Sequence, residues 1–282
     1  MRQRRRIAAF GACRDRSGRI MFARSGDAWE LPGGRVGQGE HPGAAVVRGF
    51  AAQTGLAAWV EKVSDVVADL AVEGDEVVHT DRILYDVRVR RGTPNNGARW
   101  GDPARLPLLP YTARLLGRPA PQPPVPPAEP PVRDPAATRM QRFAAYGLTT
   151  DPAGRVLLTR IAAGYPGADS WHLPGGGTDF GERADAGLLR ELVEETAQHG
   201  RVTGLLDVSH YHNPRALGPE RHPMDWHTVR VLYRVVVDTP GVPSVVEAAG
   251  GSTADAAWFD RADLGEVQLN EFARRAFAHH LG

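Results

Sequence analysis

Short apolar runs with strand character alternate along this chain with longer stretches of helical period. In the second half, residues 142–149, 156–160, 202–211, 228–237 and 256–259 have the apolar and β-branched content of strands, and 183–198 and 270–280 have the spacing of helices. Asp151-Pro152-Ala153-Gly154 has the residues of a hairpin turn between the first two strands. The order is strand, turn, strand, glycine loop, helix, several strands and a final helix, which predicts an α/β fold with a sheet covered on both faces.

The same pattern occurs twice. Ile7-Ala8-Ala9-Phe10-Gly11 recurs as Phe143-Ala144-Ala145-Tyr146-Gly147, and Asp15, Gly18, Arg19 and Arg24 recur as Asp151, Gly154, Arg155 and Arg160. Trp29-Glu30-Leu31-Pro32-Gly33-Gly34 matches Trp171-His172-Leu173-Pro174-Gly175-Gly176, after a longer loop in the second copy. His79-Thr80, Arg82 and Leu84-Tyr85 match His227-Thr228, Arg230 and Leu232-Tyr233, and Trp100, Asp102, Ala104 and Leu106 match Trp258, Asp260, Ala262 and Leu264. Between the copies, Pro119, Pro121, Pro123, Pro124, Pro126, Pro127, Pro130, Pro131 and Pro135 preclude helix and favour a semi-rigid extended spacer. The expected organisation is a first domain over 1–117, a linker over 118–137 and a second domain over 138–282.

The helical segment 183–198 carries the chemistry. Glu191, Glu194 and Glu195 stand at i, i+3 and i+4 on one face, while Leu188, Leu189, Leu192 and Val193 point largely elsewhere. Like charges at that spacing cost roughly 0.2–0.5 kcal/mol per pair. A divalent cation removes the conflict, and several carboxylate oxygens completed by waters and phosphates are what magnesium prefers. Gly175-Gly176-Gly177 lets backbone approach a ligand closely. Glu182 falls near the helix start, where a carboxylate gains from the dipole and from free amides. Arg190 can hold a neighbouring carboxylate in a fork of two hydrogen bonds. In the first copy Gly34, Glu40 and Arg48 are kept, but Gly49, Ala52 and Gln53 stand at the positions of Glu191, Glu194 and Glu195, so this copy is expected to lack catalysis. Interdomain packing, homodimer formation or holding part of a substrate are the roles left to it.

These residues resemble the Nudix box, Gly-x5-Glu-x7-Arg-Glu-U-x-Glu-Glu-x-Gly-U with U aliphatic, except that Ala197 and Gln198 replace the last glycine and aliphatic residue. The resemblance implies two tandem Nudix folds, each a mixed-sheet α/β/α sandwich, with a degenerate first copy. It implies that Glu194 and Glu195 are the main metal ligands, that Glu191 is a further ligand or the general base, and that the Gly175 carbonyl is an additional ligand. Arg190 then orients Glu191, and Glu182 is a structural or outer-shell carboxylate. The implied cofactor is magnesium, with manganese as a substitute. The implied reaction is hydrolysis of the diphosphate linkage in a nucleoside diphosphate derivative, of ADP-ribose or nucleotide-sugar type, with a nucleoside triphosphate as the other option. Glu247, on a loop before the last strand, is a second candidate base.

Composition narrows the remaining classes. The chain has 282 residues, 42% of them hydrophobic, which suits two ordinary cores. No apolar run approaches the roughly 20 residues of a membrane span. A net charge of +1 gives no long-range attraction to nucleic acid, so the expected partner is a small-molecule nucleotide, with neither nucleic acid nor membrane. The basic start Met1–Arg6 lacks a clear signal-peptide core, and one cysteine, Cys13, allows no intrachain disulfide. Both point to a cytoplasmic chain. Lys62 is the lone lysine, and the arginine supply suits bidentate phosphate binding.

Arg160, His212 and Trp226 are candidate substrate-binding residues. The stretch His210, Tyr211, His212, Trp226 and His227 reads either as groups that stack on a base or contact phosphate, or as core and surface residues of two strands. Its repetition as His79 favours a structural role for His227. Pro214 lies near where ADP-ribose hydrolases of the resembled family carry a proline, and the Ser-Gln-Pro-Trp motif of NADH-type enzymes is absent. The alternative to an enzyme is a catalytically weak nucleotide-binding or regulatory Nudix protein.

Overall fold

The strand β1 (Arg2–Ala12) is buried without alternation from Ile7 to Ala12, because both of its faces are covered. On one face Gly11 lies so close to the helix α1 (Pro42–Thr54) that a Cβ there would sit 3.1 Å from Phe50 and 3.2 Å from Val46. On the other face Ala8, Phe10 and Ala12 share a core with Leu31, Leu84 and Leu115. The structure is a computed structural model that describes residues 1–90, 92–121, 124–130, 139–217, 223–246 and 251–281. By packing, the chain forms two compact units, Met1–Phe143 with Val208–Val229, and Ala144–Asp207 with Arg230–Gly282.

The remaining elements of the first half are β2 (Ile20–Ser25), β3 (Ala28–Glu30), β4 (Gly33–Arg35), β5 (Ala58–Glu73), β6 (Glu76–Val89), β7 (Arg99–Gly101) and α2 (Pro110–Leu115). The larger sheet runs β4-β1-β6-β5, with β1 parallel to β6 and antiparallel to β4, and the smaller runs β3-β2-β7. The second half comprises β8 (Arg139–Thr150), β9 (Val156–Ile161), β10 (Trp171–His172), β11 (Gly175–Gly177), α3 (Ala184–Thr196), β12 (Arg201–Leu217), β13 (Pro223–Val236), β14 (Thr253–Phe259) and α4 (Glu271–His280), with a 3-10 turn over Arg261–Gly265 before α4. Its sheet runs β10-β9-β8-β13-β12, with β11 on β8 and β14 on β9. The first half has the same order of neighbours except that β8 pairs with β9 through Thr150 and Val156, whereas β1 and β2 belong to separate sheets. Gly147 faces Leu188 of α3, and Leu148 packs with Ala273 and Ala276 of α4. Among the described residues no helix is long and apolar enough to cross a membrane.

Long elements fall where the apolar pattern puts them, and the differences are at ends and in short strands. The helix expected over 183–198 is Ala184–Thr196, and strand 202–211 continues to Leu217. The glycine segment read as a loop contains β11, which pairs with Ala144–Tyr146. In the proline-rich segment, Glu129 exchanges backbone hydrogen bonds with Met1 and Gln3, so this part extends along β1. Pro123, Pro131 and Pro135 lie outside the described residues. The far end of β12 and β13 packs within the first unit, so the division by packing is not the one drawn at the linker.

That packing is built on histidine. His227, fully buried, bonds Gln141 Nε2 through Nδ1 (3.1 Å) and His210 Nδ1 through Nε2 (3.2 Å), and His210 stacks edge-on against His41. Gln141 also donates to the carbonyls of Val36 and Gly37, and Gln38 donates to the Asp225 carbonyl. His212 pairs with Asp225 at 2.7 Å and covers Gly39, where a Cβ would come within 2.6 Å of its ring. Burial, and then the neighbouring His210 and His212, push the His227 pKa down to about 4, and in the second unit burial pushes His172 down to about 4.

Both helices of the repeated segment end on a left-handed residue. In α1 it is Gly55 at φ 69°, whose N–H returns to the Ala51 carbonyl, and in α3 it is Ala197 at φ 55°, whose N–H returns to Val193. A Cβ in this region costs about 1–2 kcal/mol. Ala197→Gly therefore relieves strain and, after the greater freedom of glycine in the unfolded chain is subtracted, raises stability by about 0.5–1 kcal/mol, measured as a shift in the denaturant midpoint. For the histidines, the unfolded chain takes up protons near the ordinary pKa of about 6.5 while the folded chain does not until about 4. Their contribution to stability is thus intact above that range, is lost as pH falls through it, and changes no further below it. Midpoints recorded across the range should fall with pH, and the His227 and His172 ring proton resonances should not titrate above it.

Candidate active site

Helix α3 starts at Ala184, its N-cap Arg183 is extended, and Glu182 lies just before the cap. Glu182 Oε2 accepts the Asp179 N–H at 2.8 Å, closing the turn that leads into the helix. Gly187, one helical turn later, makes room for this carboxylate, because a Cβ there would come within 2.8 Å of Oε2. Two turns from Glu182, Arg190 returns a fork to it, Nε to Oε1 at 3.0 Å and Nη2 to Oε2 at 3.1 Å, while Nη2 also reaches the Gly177 carbonyl at 3.2 Å. The third nitrogen, Nη1, bonds Glu191 Oε1 at 3.2 Å and Glu194 Oε2 at 2.9 Å. One guanidinium thus hydrogen-bonds three carboxylates, and the hydrogen bonding it directs at Glu182, followed by the charges of Glu191, Glu182 and Glu194, raises its pKa further.

Against this cluster stands the glycine strand. A Cβ on Gly176 would lie 2.9 Å from each terminal atom of the Glu191 carboxylate, so only glycine fits there without displacing it. Gly175, at φ 128°, donates its N–H to Glu195 Oε2 at 2.8 Å. The second oxygen of Glu195 accepts the Thr253 hydroxyl from β14 at 2.5 Å. The three carboxylates expected on one face are therefore graded. Glu194 is 43% exposed and Glu191 18% exposed at the side chain, whereas Glu195 is turned inward and 2% exposed. Among the described residues no group of three His, Cys, Asp or Glu side chains is gathered as a ready metal cluster.

Of the residues singled out from sequence, the structure brings together Glu182, Arg190, Glu191, Glu194, Glu195 and Gly175. Arg160, in the same unit, lies between Asp169 at 3.7 Å and Asp255 at 3.5 Å. His212 and Trp226 lie in the first unit, where His212 holds Asp225 and the Trp226 indole N–H donates to Thr228 at 2.7 Å. Glu247 lies outside the described residues. Thr253 was not legible as a site residue, because nothing local marks a threonine whose partner is 58 positions away.

The first half has the frame of this arrangement without the three helix carboxylates. Arg48 forks onto Glu40 at 2.8 and 2.9 Å and reaches the Arg35 carbonyl, and Gly37 N–H donates to Glu40, each matching a contact of Arg190 and Glu182. Gln53 accepts the Gly33 N–H at 2.8 Å, as Glu195 does for Gly175. Gly49 takes the place of Glu191, and there the backbone has closed in: a Cβ would lie 2.5 Å from the Gly33 carbonyl oxygen.

A NUDIX domain model matches residues 140–280. No curated protein matches the chain. Among solved structures, the chain is similar to the MutT NUDIX hydrolase of Burkholderia pseudomallei, with 26% identity over 50% of this chain and 98% of that one, at a TM-score of 0.39. It is also similar to the MutT protein of Methanosarcina mazei Go1, with 17% identity over 52% and 96% of the two chains, at a TM-score of 0.40. The NUDIX domain of Shewanella oneidensis NrtR, solved in complex with ADP ribose, matches with 21% identity over 52% and 90% of the two chains, at a TM-score of 0.39. The family model covers half of the chain, including the carboxylate helix and its glycine strand, and on that match the chain belongs to the NUDIX family and is an enzyme of its pyrophosphohydrolase class.

Proposed function

We propose that residues 138–282 form a metal-dependent hydrolase that cleaves the diphosphate linkage of a nucleoside diphosphate derivative, and that residues 1–117 are a degenerate, non-catalytic copy of the same Nudix fold. The observation that carries the first part is the guanidinium of Arg190 shared among Glu182, Glu191 and Glu194, beside a glycine strand shaped around the Glu191 carboxylate. Its donors are hard oxygens within one helical turn, the chemistry that magnesium or manganese takes. Glu191, Glu194 and Glu195, with the Gly175 carbonyl, would hold the ion. When bound, a divalent cation neutralises phosphate charge and lowers the pKa of a coordinated water.

The chain's own residues supply the rest. Water adds to one phosphorus, the bridging oxygen leaves with the other phosphate, and a carboxylate removes the water's proton. Glu191 is the candidate for that base among the described residues, since Arg190 fixes one of its oxygens. Glu182 meets Arg190 and a backbone N–H, as Glu40 does in the first half, so its part is to set the arginine rather than to touch substrate. ADP-ribose or a nucleotide sugar is the favoured substrate class, in keeping with Pro214, and a nucleoside triphosphate is the next to test.

The second part rests on Gly49, Ala52 and Gln53, which leave α1 without a carboxylate. In the full chain, Glu194→Gln or Glu195→Gln should lower magnesium-dependent turnover by roughly 100-fold or more, since even outer partners of metal ligands are worth about 10- to 100-fold. A panel of dinucleotides, nucleotide sugars and nucleoside triphosphates, read by phosphate or nucleotide release, checks this. Activity that survives in the double variant carrying both Glu194→Gln and Glu195→Gln would sink the assignment. Adding Gly49→Glu to that double variant should restore nothing and should destabilise the chain by about 1–3 kcal/mol, seen in the denaturant midpoint, because the helix has no room for the new side chain.

A further inference from the structure

Thr253 contacts the site from outside the carboxylate helix. It is the first residue of β14 and is 7% exposed, and its hydroxyl donates to Glu195 Oε1 while the Gly175 N–H donates to Oε2. A carboxylate this deeply buried is costly unless hydrogen-bonded, and two donors on opposite oxygens also fix its plane.

The two halves of the chain show what this contact accompanies. In the first half the neutral Gln53 accepts the equivalent backbone N–H from Gly33. There the matching strand β7 spans only Arg99–Gly101, paired with Ile20–Phe22 on β2. β14 is longer, pairing with β9 as far as Thr253 opposite Ile161, and an irregularity in register falls between Thr253 and Asp255. A bulge of this kind bends a strand and re-aims the side chain beside it. Here the residue beside the irregularity, Thr253, is the one that meets Glu195. The added strand length and the hydroxyl thus occur in the half that carries the charge.

We propose that Thr253 is a positioning residue for Glu195, its hydroxyl fixing the carboxylate in the orientation from which it helps to hold a divalent cation. This rests on Glu195 being a metal ligand, as proposed above. Each carboxylate oxygen has two lone pairs, so accepting a hydrogen bond does not by itself prevent it from binding a cation.

The test is Mn2+ binding to the full-length protein without substrate, followed by the electron paramagnetic resonance signal of the free ion. Thr253→Val, which keeps the shape and removes the hydroxyl, should weaken binding by about 10-fold, within the range known for partners of metal ligands. Thr253→Ser should restore it to within about 2-fold of the parent, well inside that effect. Glu195→Gln reports on the underlying assignment, and Thr253→Val added to it should cost nothing more. If Glu195→Gln weakens binding and Thr253→Val does not, the positioning role is overturned while the ligand assignment stands. If neither weakens it, both are overturned. Equal weakening by valine and serine, or weakening by valine on top of Glu195→Gln, also overturns the role, because the hydroxyl would then not be acting through Glu195. Circular dichroism melts accompany each variant, and Thr253→Ala takes the place of valine if the latter does not fold.

Discussion

The shared guanidinium of Arg190 is the contact on which the geometry of the carboxylate helix depends. Glu191, Glu194 and Glu195 lie within one turn, and without a cation among them their charges would push the side chains apart. Arg190 supplies a positive charge from within the same helix, with donors arranged as a planar fork that a lysine could not reproduce. One edge is used for Glu182 and the remaining nitrogen for Glu191 and Glu194. Glu182 is in turn fixed by the backbone of the turn before the helix, so the position of Glu191 is set by a chain of contacts that begins at Asp179 N–H.

The first half separates that frame from its purpose. Arg48 and Glu40 make the same fork, and Gln53 takes the same glycine N–H, although no carboxylate remains for the arginine to order. These contacts therefore serve the helix and its glycine strand as structure. Only the additional bonds to Glu191 and Glu194, and the Thr253 hydroxyl on Glu195, belong to the charged half. At Gly49 helix and strand approach so closely that a Cβ would lie 2.5 Å from the Gly33 carbonyl oxygen, so backbone fills the space a side chain would need.

The histidine-rich strand ends illustrate a second constraint. His227 repeats His79, and both are fully buried. His227 is accommodated because an amide and another imidazole satisfy its two nitrogens and burial keeps it neutral. In this stretch His210, His212, Trp226 and His227 each make a side-chain hydrogen bond, while Tyr211 is exposed.

The order and type of the long elements were legible in the sequence, since apolar period and turn residues are local properties. So were the absence of carboxylates from α1 and the spacing that brings Glu182, Arg190 and Glu191 together, because a helix fixes which residues are neighbours. The sequence could not show that Glu195 faces inward while Glu194 faces out, or that Gly49 has lost the room for a side chain. Nor could it place Thr253 on Glu195 or the ends of β12 and β13 in the first unit. Those features depend on how close two elements approach and on where a strand changes register, and such distances are fixed only when the whole chain has packed.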